Sequence, residues 1–233
     1  MTTLTCMTYN IRLGIQRGLD DIARVIARRR PQILAIQEIG ENWVMGPEGD
    51  STATLANTLG YPHVHHVKAI TRDGAHHYGH AILSDYPFTI VDEIELERHE
   101  DEPRRLLHTR HEHPELGEVE VVSTHLSWIG DRTVQGEFLA SFARELTSAH
   151  DLVLVMGDLN EEHTTTPWLA ALRSSFQDAD ASRARLTFPS NAPRIRLDYL
   201  LSSRGTWTET EVFDDEREAS DHYPVVSTLV IEE

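Results

Sequence analysis

Short runs of strand type recur along the whole chain, and they constrain its fold more than any other feature. Most runs span about five to ten residues and are bounded by turn formers, which is typical of β-strands. LTCMTYNI, ILAIQE and DLVLVMGD have apolar bodies, as expected for strands that are covered on both faces. The full set comprises residues 4–11, 33–38, 61–67, 78–84, 88–96, 105–112, 117–126, 151–158, 194–203, 206–213 and 223–233.

Helical segments are interspersed with these strands. Ile22, Val25 and Ile26 share one face of a predicted helix that Arg30-Pro31 ends. A later segment is closed by Gly60, a typical residue at the end of a helix. The predicted helices span residues 20–29, 51–59, 133–149 and 167–174.

The order of strands and helices predicts a mixed α/β fold. About ten strands are too many for one comfortable open sheet, so we expect two packed sheets flanked by helices. A chain of 233 residues could form one domain or two. No Gly/Ser-rich or Pro-rich linker divides it, so we predict a single domain over residues 1–233.

The composition favours a cytoplasmic protein. The start, MTTLTCMTYN, lacks the basic and long apolar regions of a signal peptide. No stretch approaches the ~20 apolar residues that a membrane helix needs. Cys6 is the only cysteine, which excludes an internal disulfide, and we expect it in the core.

The formal net charge of −17 argues against a polyanionic partner. The argument is not decisive, because a local groove lined by arginine can bind phosphate on an acidic protein. Two histidine clusters, at 63–66 and 108–113, alternate as strand residues do. We expect them on solvated strand faces; a zinc site is the alternative, although the clusters have no cysteine partners.

Eight polar residues share one kind of position, next to or within the buried strands. Ligand sites in α/β sheets form where loops leave the strand ends. A buried polar tip costs desolvation free energy unless it has a partner, so these tips are expected to contact one another or an ion. They are Asn10, Glu38, His125, Asp158, Asn160, Asp198, Asp221 and His222.

Oxygen ligands among these residues predict a hard cation. The carboxylates of Glu38 and Asp221 and the amide oxygen of Asn10 suit Mg²⁺ or Mn²⁺. Asp158 could accept a proton from an attacking water, while Asn160 donates to a phosphate oxygen. Each motif also has a structural interpretation: GDLN and SDHYP are rich in turn formers, and RLDY could be an ion-paired edge strand.

Taken in order, the motifs TYNIR, IQE, YGHAILS, STHLS, GDLN, RLDYLL and SDHYP resemble those of the endonuclease/exonuclease/phosphatase superfamily. The resemblance covers almost the whole chain, from Tyr9 to Val225. It implies a four-layer α/β/β/α sandwich, in which two mixed sheets lie face to face with helices outside. It also implies phosphoester hydrolysis by in-line attack of water with a divalent metal, Mg²⁺ or Mn²⁺.

The resemblance also implies roles for individual residues. Glu38 would be the main metal ligand, with Asn10 and Asp221 near the ion. Asp158 would activate the water, although members of the family differ in which residue serves as the base and in whether one metal ion or two take part. Asp158 is preferred here because pairing with a carboxylate favours the protonated form of an imidazole.

The remaining implied roles concern the phosphate. Asn160 would bind it, and His222, paired with Asp198, would contact it. His125 would contact a phosphate oxygen or protonate the leaving group. Tyr78 and Arg104 match positions that often touch substrate, but a core role for each is equally compatible with the sequence.

Two departures from the family pattern stand out. His80 occupies a position where many small members have asparagine. In the pancreatic nuclease, a carboxylate supports the histidine that matches His125, and no such partner is visible in this sequence. Trp43, Trp128 and Trp168 follow strand-end motifs and could ring the cleft or cap the core.

Three interpretations of substrate remain open at this stage. A small or lipid-derived phosphoester is favoured by the compact chain, by the YGHAILS motif and by the acidic charge, and the chain resembles the sphingomyelinase-like branch. Nucleic acid would need a basic rim, for which Arg12, Arg17, Arg194 and Arg196 are the candidates. A non-catalytic binding domain on the same fold is the most distant alternative.

Overall fold

Two six-stranded sheets packed face to face form the centre of the computed structural model, which describes residues 1–99, 101–182 and 184–232. The first sheet has the order β11-β12-β1-β2-β4-β3 and the second has the order β5-β6-β7-β8-β10-β9. The strands are β1 Thr2–Asn10, β2 Ile33–Glu41, β3 His63–Arg72, β4 His76–Ser84, β5 Phe88–Glu95, β6 Arg105–His113, β7 Gly117–His125, β8 Val153–Asp158, β9 Gln177–Asp178, β10 Asp198–Ser202, β11 Thr206–Val212 and β12 Val225–Ile231.

In the described part of the chain, four α-helices cover the outer faces of the sheets. They are α1 Leu19–Ala27, α2 Ser51–Leu59, α3 Arg132–Leu146 and α4 Pro167–Ser175, and a short 3₁₀ helix spans Arg12–Gly14. The Asp50 side chain caps α2 by accepting the Ala53 N–H at 3.0 Å, and Gly60 ends that helix in a left-handed conformation. The predicted helices therefore exist, with ends that differ by at most three residues.

Side chains alternate between the two faces of each strand, and the apolar side chains therefore form three separate layers. On β1, Leu4 and Cys6 point between the sheets, whereas Met7 and Tyr9 point toward α1 and α2. The third layer lies between the second sheet and the pair α3 and α4. This arrangement confirms the predicted four-layer sandwich and the core position of Cys6.

The prediction that the histidine clusters lie on solvated strand faces is wrong for the second cluster. His108, His111 and His113 are buried, because β6 is an inner strand that pairs with both β5 and β7. His108 Nε2 lies 2.6 Å from a carboxylate oxygen of Glu120. In the first cluster, His63, His65 and His66 are half-buried on the edge strand β3.

Within the described residues, no helix has the length and apolar character needed to cross a membrane. The prediction of a single domain over residues 1–233 stays a prediction.

Candidate active site

Strand register brings three of the predicted residues together in the second sheet. His125 at the end of β7 pairs with Asp158 at the end of β8, and Asp158 pairs with Asp198 at the start of β10. The strands approach closely at Gly157, where an added Cβ would lie 2.1 Å from the carbonyl oxygen of Thr124. The glycine of GDLN is therefore required by the packing of β7 against β8.

The first sheet contributes Asn10 and Glu38. Glu38 lies where the pairing of β2 with β4 shifts register, and its φ of 53° is in the left-handed region. Such a bulge redirects a side chain, and bulges are common beside active sites. The Asn10 Nδ2 group donates to Glu38 Oε1 and to Asp158 Oδ2, each at 3.0 Å, and so links the two sheets.

Two buried serines hold the segment that carries Asp221 and His222. Ser220 Oγ donates to the Asn10 carbonyl at 2.7 Å. The backbone N–H of Ser190 donates to the Asp221 carbonyl at 2.7 Å, and Ser190 Oγ donates to the Ser220 carbonyl at 2.6 Å. The sequence interpretation missed both serines, although Ser220 begins the SDHYP motif.

His222 lies between two carboxylates. Its Nδ1 is 2.9 Å from Asp198 Oδ2, and its Nε2 is 3.7 Å from Asp158 Oδ2. Burial lowers the pKa of His222, but the charges of Asp198 and Asp158 outweigh burial and raise that pKa to about 10. His222 is therefore an imidazolium at neutral pH.

Asp158 lies at the centre of the site. Its Oδ2 is 3.6 Å from His125 Nε2, and its Oδ1 accepts the Asn160 backbone N–H at 2.9 Å. Burial and the nearby Asp198 charge raise the pKa of Asp158, although His222 opposes that shift. Burial likewise raises the pKa of Glu38. Both carboxylates are more basic than exposed ones.

His125 has a cationic partner. Arg104 Nη1 lies 2.7 Å from His125 Nδ1, and Arg104 Nη2 lies 2.8 Å from Glu102 Oε1. Burial, followed by the Arg104 charge, lowers the pKa of His125 well below its ordinary value. Tyr78 is buried beside Arg104 and Glu38.

A cleft of about 180 Å³ opens over these groups. Its aromatic wall consists of Trp128, whose ring centroid is 5.8 Å from that of Phe188, and Phe188, which is 4.8 Å from the His222 ring. The sequence interpretation did not single out Phe188. The residues lining the cleft are Glu38, Arg104, His125, Trp128, Asp158, Asn160, Phe188, Asp221 and His222.

The other tryptophans lie outside the lining of this cleft. Trp168 is buried in the core against Gly136 of α3, and Trp43 lies 5.5 Å from the Tyr78 ring. His80 is fully buried, and burial lowers its pKa to about 3. A larger groove of about 720 Å³ near Arg28 contains none of the predicted site residues.

Among the described residues, two groups of side chains bring possible metal-ligand atoms together, although a protonated His222 has no lone pair to offer a metal ion. Asp158, Asp198 and His222 offer ligand atoms within 4.8 Å of one another, as does a separate cluster of Glu118, Glu120 and His150. In the second cluster, the Glu120 Oε1 atom lies 2.6 Å from Arg110 Nε.

Asn10 and Asp221 have protein partners in this geometry. The Asn10 Oδ1 atom accepts the Arg12 backbone N–H at 3.1 Å, and the Arg12 Nε atom lies 3.3 Å from Asp221 Oδ2. Asn160 donates from Nδ2 to the Leu126 carbonyl at 2.8 Å. The structure thus brings all eight residues to one edge of the sandwich, although Glu38 lies at a bulge within β2, which continues to Glu41, and does not end that strand as the sequence predicted. Their individual roles stay predictions.

Comparison with known proteins was consistent with this fold. A model of the Endonuclease/Exonuclease/phosphatase family matches residues 7–222. The uncharacterized protein YbhP of Escherichia coli K12 is 30% identical over 197 residues, which cover 81% of this chain and 75% of YbhP.

Three solved structures share the fold. An endonuclease/exonuclease/phosphatase from Beutenbergia cavernae DSM 12333 has a TM-score of 0.75 at 23% identity, covering 99% of this chain and 72% of that one. Truncated Caenorhabditis elegans TDP2 has a TM-score of 0.72 at 19% identity, with 98% of each chain covered. The Bacteroides thetaiotaomicron VPI-5482 mannosyl-6-phosphatase Bt3783 has a TM-score of 0.72 at 18% identity, covering 98% of this chain and 100% of that one.

Proposed function

The chain belongs to the endonuclease/exonuclease/phosphatase family, and on that premise we propose that it is a divalent-metal-dependent phosphoesterase that acts by in-line attack of water. One observation carries the proposal. The Nε2 atoms of His125 and His222 converge on the Asp158 carboxylate, at 3.6 and 3.7 Å. A phosphoryl group above that carboxylate would meet two imidazole donors while its attacking water meets a base.

Asp158 is our candidate for the general base. A base works best when its pKa approaches the working pH, and burial shifts the pKa of Asp158 in that direction. His222 is held as an imidazolium by Asp198, so it serves as a charged donor to the phosphate. Asn160 would supply a further donor from the end of β8.

The donor set fits a hard divalent cation. Glu38 is a desolvated carboxylate whose one observed side-chain hydrogen bond comes from Asn10, and Asp221 lies on the same cleft. A cation would compensate for two acidic groups in a confined space, and Mg²⁺ or Mn²⁺ suits oxygen ligands. Glu38 and Asp221 would hold it, with Asn10 orienting Glu38. Once bound, the ion would polarise the phosphoryl oxygen.

A small phosphoester is the favoured substrate. The cleft of about 180 Å³ accommodates a phosphoryl group, and the formal net charge of −17 disfavours a polyanionic substrate. Two of the four arginines proposed for a nucleic-acid rim are neutralised: Arg17 pairs with Glu218, and Arg196 is buried against Asp178. Nucleic acid therefore remains the second candidate. The cytoplasm stays the predicted location.

A substrate screen with one variant pair tests the proposal. The purified protein would be assayed with Mg²⁺ and with Mn²⁺ on p-nitrophenyl phosphate, bis-p-nitrophenyl phosphate, sphingomyelin, plasmid DNA and short RNA. We expect Asp158→Asn to lower kcat by about 10²- to 10⁴-fold. Asp85→Asn, a half-buried carboxylate paired with Arg30 at 2.7 Å, is the matched control.

The outcomes separate the candidates. Plasmid nicking that is abolished by Glu38→Ala would place nucleic acid first. Near-full activity of Asp158→Asn would refute its assignment as the base. Hydrolysis of none of the substrates would favour the non-catalytic alternative.

A further inference from the structure

The two imidazoles of the site have partners of opposite charge. His222 Nδ1 faces the Asp198 carboxylate at 2.9 Å, whereas His125 Nδ1 faces the Arg104 guanidinium at 2.7 Å. A carboxylate accepts hydrogen bonds, so it favours a proton on the nitrogen that it faces. A guanidinium has only N–H donors, so the nitrogen that it faces must present a lone pair. Two histidines in one cleft are therefore held in different protonation states.

Arg104 is held firmly enough to impose this state on His125. Arg104 is 6% exposed. The second terminal nitrogen of its guanidinium, Nη2, lies 2.8 Å from Glu102 Oε1. Arginine stays protonated throughout the working pH range. The donor toward Nδ1 is therefore permanent, and the only ring proton of a neutral His125 is the one on Nε2.

The Nε2 atom of His125 is the one that faces the reaction. It lies 3.6 Å from Asp158 Oδ2, and His125 lines the cleft with Glu38 and His222. A proton fixed on Nε2 points toward the position that a phosphoryl or leaving-group oxygen would take above Asp158.

We propose that Arg104 is a positioning residue that locks His125 as the neutral Nε2–H tautomer, so that His125 donates a hydrogen bond to the reacting phosphoester and keeps its proton. This inference rests on the proposed function and decides between the two roles open to His125 from the sequence. The leaving oxygen receives no proton from this imidazole and takes one from solvent.

Nitrogen NMR tests the tautomer without any substrate. In ¹⁵N-labelled protein, a long-range ¹H–¹⁵N spectrum distinguishes a protonated ring nitrogen from one with a lone pair. The His125 signals are assigned by their loss in His125→Gln. We expect protonated Nε2 and unprotonated Nδ1 at neutral pH. An imidazolium, or a proton on Nδ1, would overturn the proposal whether or not the protein hydrolyses any ester.

Two Arg104 variants separate positioning from folding. Arg104→Lys retains a cationic donor and is expected to keep the Nε2–H tautomer, whereas Arg104→Met removes the donor and is expected to give a mixture of tautomers. An unaltered Nε2–H tautomer in folded Arg104→Met would show that Arg104 does not control His125. Should Arg104→Met fail to fold, the absence of the Nε2–H tautomer from the unmodified protein or from Arg104→Lys would still overturn the proposal.

Leaving-group dependence tests the consequence for catalysis. His125→Gln keeps an N–H donor that cannot act as an acid, and His125→Leu has no donor. The substrates are aryl phosphoesters whose phenols differ in pKa. We expect the kcat of His125→Gln to be at least about tenfold higher than that of His125→Leu. We also expect log kcat to fall with leaving-group pKa at the same slope in His125→Gln as in the unmodified protein. A steeper slope in His125→Gln, with kcat as low as in His125→Leu, would show that His125 acts as an acid and refute its role as a fixed donor.

Discussion

Gly157→Ala tests whether the close approach of β7 and β8 sets the geometry of the site. The new Cβ would lie 2.1 Å from the Thr124 carbonyl oxygen, whereas real Cβ contacts under 3.0 Å essentially never occur. This distance is 0.9 Å too short, and the atom contacted belongs to the backbone and cannot rotate away. The two strands must therefore separate. They would separate next to the position where His125 pairs with Asp158.

The expected cost follows from two contributions. Overpacking of this kind destabilises by about 1–3 kcal/mol, and a backbone conformation reserved for glycine costs about 1–3 kcal/mol more. For a chain of this size, the sum corresponds to a fall in Tm of about 4 to 24 °C, measured by circular dichroism. A displacement near 1 Å of groups that hold the substrate also lowers kcat by about 10²-fold at 25 °C.

Gly117→Ala is the matched control. Gly117 begins β7 with a φ of 73°, yet its added Cβ would meet no atom within 4 Å. It therefore imposes backbone strain of about 1–2 kcal/mol without a clash and at a distance from the site. If Gly157→Ala matched Gly117→Ala in both Tm and kcat, the argument that this contact positions His125 against Asp158 would be refuted.

Three further changes probe separate parts of the site. Asp198→Asn removes the charge that raises the pKa of His222, so we expect the alkaline limb of kcat/KM to move down by about 1 to 3 pH units; an unmoved limb would contradict this. Glu38→Gln should weaken Mn²⁺ binding at least about tenfold by calorimetry, whereas the exposed Glu48→Gln should bind normally; equal affinities would exclude Glu38 as a ligand. Ser220→Ala should lower the free energy of unfolding, measured by urea denaturation, by about 1–3 kcal/mol. The exposed control Ser174→Ala should lower it by less than about 0.5 kcal/mol. A loss for Ser220→Ala as small as that of the control would mean that the hydrogen bond to Asn10 contributes little.

The strand ends were predictable because they follow from local pattern. An apolar run such as LVLVM must be buried, and the polar residues that follow it must leave the sheet at its edge. That reasoning located Asp158 and Asn160. It failed for His108, because whether a strand is inner or at an edge depends on which strands pair with it, and pairing is a long-range property.

The pairing of His222 with Asp198 was implied by the family resemblance, whereas the partner of His125 was not predictable from the sequence. Arg104 and His125 are 21 residues apart, and only the pairing of neighbouring strands places the guanidinium on Nδ1. The bulge at Glu38 and the aromatic contact between Trp128 and Phe188 are likewise products of tertiary packing. A single sequence states which side chains exist and gives little information about which atoms meet.

By itself, the sequence determined the layered fold, the residues at the strand ends and the family resemblance, because periodicity, burial and motif order are all carried by the order of the amino acids. The tertiary structure agreed with the implied pairing of His222 with Asp198, and it alone revealed that Arg104 faces His125. Both imidazoles have the same intrinsic chemistry, and only their distances of 2.9 Å to a carboxylate and 2.7 Å to a guanidinium make one a cation and the other a neutral donor. The reason is physical: the pKa and tautomer of a buried imidazole are set by the charges and hydrogen-bonding groups around it, and folding brings those groups from distant parts of the chain.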